Sequence, residues 1–202
     1  MRLNVVSAKP VKEPSLGMMH SLQNYFLVAM PTLNDSVFER SLIYVCEHNE
    51  KGAMGIVLNV ELDIDICQLL TQMKLGNSSF MLSGKPVMSG GPVNTDRGFV
   101  LHTPMNGFHA SLSITDELMM TSSLDILSTL GTSAEPKNYM IALGYAGWEP
   151  GQLEQEILDN VWLTIPASSE IIFNTPVEDR WLAASKSIGI DIWQIAPEAG
   201  HA

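Results

Sequence analysis

Apolar residues fall along this chain in short blocks separated by polar or glycine-rich turns. Tyr25-Phe26-Leu27-Val28-Ala29-Met30 is rich in strand formers and stops at Pro31, which predicts a strand. Asn34 or Asp35 is placed to cap a short helical turn before Phe38. Ser41–Glu47 and Ala53–Asn59 read as two strands joined by the polar loop His48-Asn49-Glu50-Lys51-Gly52. Ile66, Leu69, Leu70 and Met73 have helical spacing within Ile64–Met73, with Asp63 or Asp65 as cap. Val87–Ser89 and Phe99–His102 predict strands around a glycine-rich connection.

The second half continues in the same way. Leu112–Ile114 and Leu118–Met120 predict a hairpin about Asp116-Glu117. Ser122-Ser123-Leu124-Asp125 has the shape of a capping box, and Gly131 suits the far end of the helix it would open. Tyr139–Tyr145 is a further strand, and Pro150–Asp159 a short helix with Leu153 and Ile157 four apart. Val161–Ile165 and Ile171–Phe173 predict strands. Thr175-Pro176-Val177-Glu178 predicts a helix start, with Val177, Trp181, Leu182, Ser185 and Ile188 on one face and Gly189 as the stop. Irregular alternation with several strand-to-strand steps argues a mixed α/β (α+β) fold over a doubly wound parallel sheet.

Residues 1–18 differ from the rest. They hold Lys9, Pro10, Lys12, Glu13, Pro14 and Gly17 without a period of 2 or 3.6, and predict a flexible N-terminal extension before a single domain over 19–202. Met18 and Met19 are each placed to serve as a start. No run approaches the ~20 apolar residues of a membrane span, and no signal peptide is evident. Cys46 and Cys67 each lie among apolar residues, so they read as small buried hydrophobes, with a disulfide or redox pair as the alternative. A cytoplasmic protein is the expectation, with no metal centre and no cofactor.

Charge narrows the partners. The 202 residues include 11 basic and 22 acidic side chains, for a net of −11. The acidity is uneven. Residues 1–52 are neutral, 53–146 carry −4 and 147–202 carry −7. No segment concentrates Lys and Arg as a recognition helix would, which opposes direct DNA binding. A hydrophobic content of 46% with 16% charged residues excludes overall disorder.

Four separated blocks carry a family resemblance. They are Met30-Pro31 through Arg40-Ser41, Glu47-His48 and Gly52–Asn59; Gly90–Val93 with Asp96–His102; Leu143–Trp148 with Pro150–Glu154; and Asn160 with Trp162-Leu163. In this order they resemble the AlgH/YqgE family across roughly residues 19–202. That family comprises small bacterial proteins, mostly uncharacterised, some described as candidate transcriptional regulators. The resemblance implies a bent mixed sheet forming a pseudo-barrel flanked by short helices. It carries no catalytic residue set, so no catalytic residue is assigned.

Several residues are nevertheless candidates for binding. Gly90, Gly91 and Pro92 form either a shaped turn or a loop offering backbone N–H groups to an anion; the Walker and dinucleotide patterns are missing. Glu47, His48 and His102 lie at strand ends, where a histidine serves either as a hydrogen-bonded structural residue or as a general base. Arg40 and the pair Asp96-Arg97 either brace acidic neighbours or bind a carboxylate or phosphate. Trp148 stands between a strand and a helix N-terminus, as a core plug or a recognition surface. The reading that results is a non-catalytic binding or regulatory module, whose regulation would be indirect. These residues would line its groove, its partner being a protein or a small anionic ligand. The alternative is a hydrolase or transferase acting on an anionic small molecule through Glu47, His48, Asp96 or His102, with Arg97 holding the substrate. A monomer is expected.

Overall fold

The computed structural model describes residues 20–33, 36–75 and 80–195. The expected extension, and the expected cap at Asn34 or Asp35, lie outside the described residues. Ten strands are described: β1 Tyr25–Ala29, β2 Leu42–Asn49, β3 Gly52–Val57, β4 Glu61–Asp65, β5 Pro86–Ser89, β6 Val93–His102, β7 Ser111–Ser113, β8 Met119–Thr121, β9 Tyr139–Trp148 and β10 Trp162–Pro166. Five short helices accompany them: α1 Ile66–Gln72, α2 Gln152–Leu158, α3 Ser169–Phe173, α4 Arg180–Ser187 and α5 Ile192–Ile195. The strands join in one curled, half-barrel sheet in the order β10-β1-β2-β3-β9-β6-β8-β7, with β5 also on β9 and β4 outside β5. Every pairing is antiparallel except β5 with β9.

The curl follows from alternation within the apolar runs. In β1, Phe26 and Val28 face one core while Leu27 and Ala29 face another. In β2, Leu42, Tyr44 and Cys46 join the first set and Ile43 and Val45 the second. In β6 and β9, Phe99, Leu101, Met140 and Ala142 face that same first core, while Val100 and Ile141 face a third. One inner core is therefore shared by both ends of the sheet, and the outer face carries two separate apolar patches. Burial on both faces explains why these strands read as unbroken apolar runs. Trp181 of α4 closes the inner core, its indole donating to the Ala29 carbonyl at 3.0 Å.

Strand β9 is the spine. Its residues 146–148 pair with β3, and its residues 141–143 pair with β5 along the same edge. The opposite edge pairs with β6. At the change of partner stands Gly144, with φ +75°.

Helix α1 starts as its sequence dictates. Asp65 is the cap: its carboxylate accepts from Gln68 N at 2.8 Å, and the Gln68 side chain accepts from Asp65 N at 2.9 Å. Other expectations need correction. Ile171–Phe173 is part of helix α3, not a strand; the run is short, and the chain turns just before it after β10 has filled the sheet edge beside β1. Ser122 caps nothing described; Asp125 accepts from Ile126 N at 3.1 Å and opens a 3-10 turn, Ile126–Thr129. The Thr175 hydroxyl reaches back to the Glu170 carbonyl, and α4 begins at Arg180 after a 3-10 turn, Val177–Asp179. Strand β4 was not anticipated. Cys46 and Cys67 are free thiols, the first buried. Among the described residues no helix is long and apolar enough to cross a membrane.

Candidate functional site

The glycine motif is explained by the branch of the sheet. Gly90 N–H donates to the Leu143 carbonyl at 2.7 Å, and the Gly90 carbonyl accepts from Val57 N at 2.9 Å. A Cβ on Gly90 would lie 2.3 Å from Gly144 O, one on Gly91 2.2 Å from the Tyr145 carbonyl carbon, and one on Gly144 2.4 Å from Gly91 O. Two backbones thus touch where β5 gives way to β3 along β9. The glycines are required by that approach, and the Gly90 N–H is spent in it. Pro92 stands exposed just beyond.

His48, Ala53 and Trp148 lie in one row across β2, β3 and β9. Helix α2 packs on that row and supplies two carboxylates. His48 Nδ1 accepts from Leu22 N at 2.9 Å, so Nε2 carries the proton and donates to Glu154 at 3.0 Å. Trp148 and Trp162 both donate to Oε2 of Glu156 at 2.8 Å. Nε2 of His48 and the indole N–H of Trp148 therefore face the helix that covers them, while Nδ1 of His48 is taken by the Leu22 backbone. Glu47, displaced outward by a bulge after Val45, accepts from the Asn49 side chain at 2.7 Å.

The arginines sit apart. Arg40 is exposed with φ +52°; its guanidinium lies 5.2 Å from the Trp193 ring centre and its Nε 3.9 Å from Glu39. Arg97 is exposed over the Phe99 ring at 5.2 Å. The arginine missed as a candidate is Arg180, which is buried. It donates to the carbonyls of Leu58 at 2.6 Å and Thr175 at 3.1 Å, with no carboxylate in ion-pair contact among the described residues.

His102 is fully buried. Its Nδ1 lies 2.8 Å from the Thr103 carbonyl, which only accepts, so Nδ1 carries the proton. The bare Nε2 then accepts from the Thr121 hydroxyl at 2.8 Å, and Thr121 in turn accepts from Ser111 at 2.6 Å. Burial holds the imidazole below its ordinary pKa, against the Thr103 hydrogen bond, which favours the charged form. Nearby, Asp125 accepts from Ser123 and from both the backbone and the ring of His109, and is lowered to about 2, the Ser123 hydroxyl contributing most.

Thr121 also belongs to a cavity of about 200 Å³ between α1 and the β6–β9 face. Leu69 of α1 and Met73 at its C-cap, with Val100, Leu124, Leu127, Ile141 and Leu143, are the apolar lining residues, and Asp96, Thr121, Ser122 and Ser123 the polar ones. Of the ten residues expected to line one groove, Asp96 alone lines this cavity. The others are distributed among the α2 face, the sheet branch, the buried strand end of β6 and exposed positions, because each side chain follows the alternation of its own strand. The cavity was hidden from sequence reasoning because its walls come from segments far apart in the chain.

A curled half-barrel sheet with an apolar cavity on its outer face defines a small mixed α/β protein. The chain belongs to the AlgH-like family, DUF179, whose pattern its residues 26–193 match. A UPF0301 protein of Shewanella woodyi is 52% identical over 186 residues, spanning 91% of this chain and all of that protein. A UPF0301 protein of Hamiltonella defensa is 54% identical over 185 residues, spanning 90% of this chain and all of that protein. The solution structure of the AlgH protein from Pseudomonas aeruginosa superposes with a TM-score of 0.74 at 38% identity, covering 96% of this chain and 100% of that one. A Corynebacterium diphtheriae crystal structure shares the fold, with a TM-score of 0.68 at 21% identity over 86% of this chain and 90% of that one.

Proposed function

We propose that the protein is a non-catalytic binding module with a regulatory role, and that its ligand seats in the cavity between α1 and the β6–β9 face. The observation that carries this reading is the cavity itself, lined mostly by apolar side chains with a few polar ones, the usual composition of a small-molecule site. At about 200 Å³ it suits a single ring or a short branched alkyl group. His48 and His102 are bonded into the fold, which favours binding over acid–base chemistry. A ligand wedged between α1 and the sheet would shift α1 and the exposed Met73 at its C-cap, a route to regulation through a protein partner without direct contact with DNA.

The test is a screen of single-ring and branched-alkyl fragments by amide chemical-shift changes, repeated on Leu143→Trp, which fills the cavity. Binding that perturbs Thr121, Leu127 and Ile141 in the wild type and disappears in the variant supports the reading. No binding at millimolar fragment, or binding that survives in a folded Leu143→Trp protein, overturns it.

A further inference from the structure

Three hydrogen bonds in series join the buried end of β6 to the edge of the sheet. They run from the Thr103 carbonyl through both ring nitrogens of His102 to the Thr121 hydroxyl on β8 and the Ser111 hydroxyl on β7, at 2.8, 2.8 and 2.6 Å. His102 is fully buried, whereas Ser111 is exposed on the strand that ends the sheet order. With the ring neutral, every donor in the series is fixed. Nδ1 donates to the Thr103 carbonyl, Thr121 donates to Nε2, and Ser111 donates to Thr121.

We propose that His102, Thr121 and Ser111 form a reversible proton relay, which reads out the charge of a fully buried imidazole at the exposed edge strand β7. A proton arrives from water at the Ser111 oxygen. Ser111 passes its own hydrogen to Thr121, Thr121 passes its own to Nε2, and the arriving proton stays on Ser111. No heavy atom needs to move. The ring, now an imidazolium, donates to Thr121, Thr121 donates to Ser111, and Ser111 donates outward. All three hydrogen bonds survive, the last two reversed, so the charged ring leaves no polar atom of the series without a partner. At the surface, Ser111 points its hydrogen inward in the neutral state and outward in the charged one.

The charged groups around the ring are occupied elsewhere. Tyr139 stands opposite His102 in the register of β6 with β9, and its hydroxyl donates to Glu135 and accepts from Lys85. Beyond the Phe108 ring, which meets His102 edge-on at 5.7 Å, His109 pairs with Asp125. Asp116 and Glu117 of the β7–β8 turn line an open hollow beside Thr103. None of these is bonded to the His102 ring among the described residues. Burial favours the neutral ring, and the relay supplies the charged ring with a full set of partners. The relay does not depend on the cavity holding a ligand.

The experiment titrates the full chain, carrying isotope-labelled histidine, from pH 7 to 5 and follows the His102 ring nitrogens by magnetic resonance. It compares the wild type with Ser111→Ala and Ser111→Thr. Ser111 is exposed, so both variants are expected to fold. The wild-type ring is expected to have a bare Nε2 at pH 7 and to gain its proton while the protein stays folded, with signals that move continuously. Ser111→Ala is expected to bind that proton about threefold or more weakly. It should also exchange the proton slowly, so that neutral and charged rings give separate signals. Ser111→Thr keeps the hydroxyl and is expected to restore both properties. A ring protonated at Nε2 at pH 7, or one that takes its proton only as the protein unfolds, overturns the proposal. So does a Ser111→Ala protein that titrates as the wild type does, or a Ser111→Thr protein as impaired as Ser111→Ala.

Discussion

Trp148 of β9 and Trp162 of β10 share a single acceptor. Their rings stand edge to face with centres 6.2 Å apart, and both indole N–H groups donate to Oε2 of Glu156 at 2.8 Å. The two strands are not neighbours in the sheet, so Glu156 ties them across its outer face. Removing the carboxylate leaves two largely buried donors without an acceptor. Glu156→Ala is expected to cost ~2–4 kcal/mol, and Glu156→Gln about 1 kcal/mol because one oxygen remains. Denaturant unfolding followed by tryptophan fluorescence measures both.

The backbone contact at the sheet branch predicts a sharp contrast between glycines. Gly144 and Gly151 have nearly the same φ, +75° and +78°, but a Cβ meets Gly91 O at 2.4 Å on the first and nothing within 4 Å on the second. Gly151→Ala is expected to cost about 1–2 kcal/mol, the left-handed backbone alone. Gly144→Ala must also part the two strands, and is expected to lose 3 kcal/mol or more, or to fail to fold. Thermal melts of the pair decide the point. A similar loss in both would show that the crossing tolerates a methyl group.

Arg180 offers a test of a buried charge that binds carbonyls. Burial lowers its pKa, opposed by the nearby charges of Glu61 and Glu178. Arg180→Met keeps much of the packing but leaves the Leu58 and Thr175 carbonyls without this donor, for an expected cost of ~2–4 kcal/mol. Arg180→Lys has one nitrogen to serve two carbonyls and should fall between wild type and Met. Urea midpoints at constant slope measure the order.

His102 sets an acid sensitivity. Its folded pKa lies below the ordinary 6.5, so between the two values the unfolded chain holds a proton that the folded chain refuses. The stability attached to the neutral ring is complete above pH 6.5 and is lost as pH falls through the folded value. Stability of the wild type should decline on acidification from pH 7 to 5 more steeply than that of His102→Gln. Parallel curves over that range would remove His102 as the source.

Much of this fold was readable where the signal is local. Tyr25–Met30 announced β1, and the spacing of Ile66, Leu69, Leu70 and Met73 announced α1, with Asp63 and Asp65 both open as its cap until the structure chose Asp65. Strand β4 alternates as a half-buried strand does, Glu61-Leu62-Asp63-Ile64-Asp65, but it is short and runs straight into the helical spacing that claims Ile64, and it lies outside β5, off the main sheet order. Ile171–Phe173 misled because three residues carry no period, and the sheet edge they would have joined was already taken. Gly90–Gly91 was visible as a shaped turn, but that it meets Gly144 in one crossing is a fact about tertiary distance. His48 and Trp148 stood out by their places at element ends, while Glu154 and Glu156, which take the N–H of each ring, carry no mark in the sequence beyond lying on a short helix. The tautomer of His102 depends on the Thr103 carbonyl that its Nδ1 meets in the folded chain, which no sequence displays.

The pairing of β1 with β10 has a consequence for how the chain is made. Ala29 meets Trp162, so a strand from the start of the protein waits for one synthesised near the end. Until β10 emerges from the ribosome, one edge of the sheet stays open and the inner core lacks its Trp181 plug. Such long-range closure slows folding and leaves the nascent chain prone to wrong strand pairings. Chaperone demand should therefore concentrate in the last stage of synthesis, and truncations before residue 166 should aggregate where full-length chains stay dispersed.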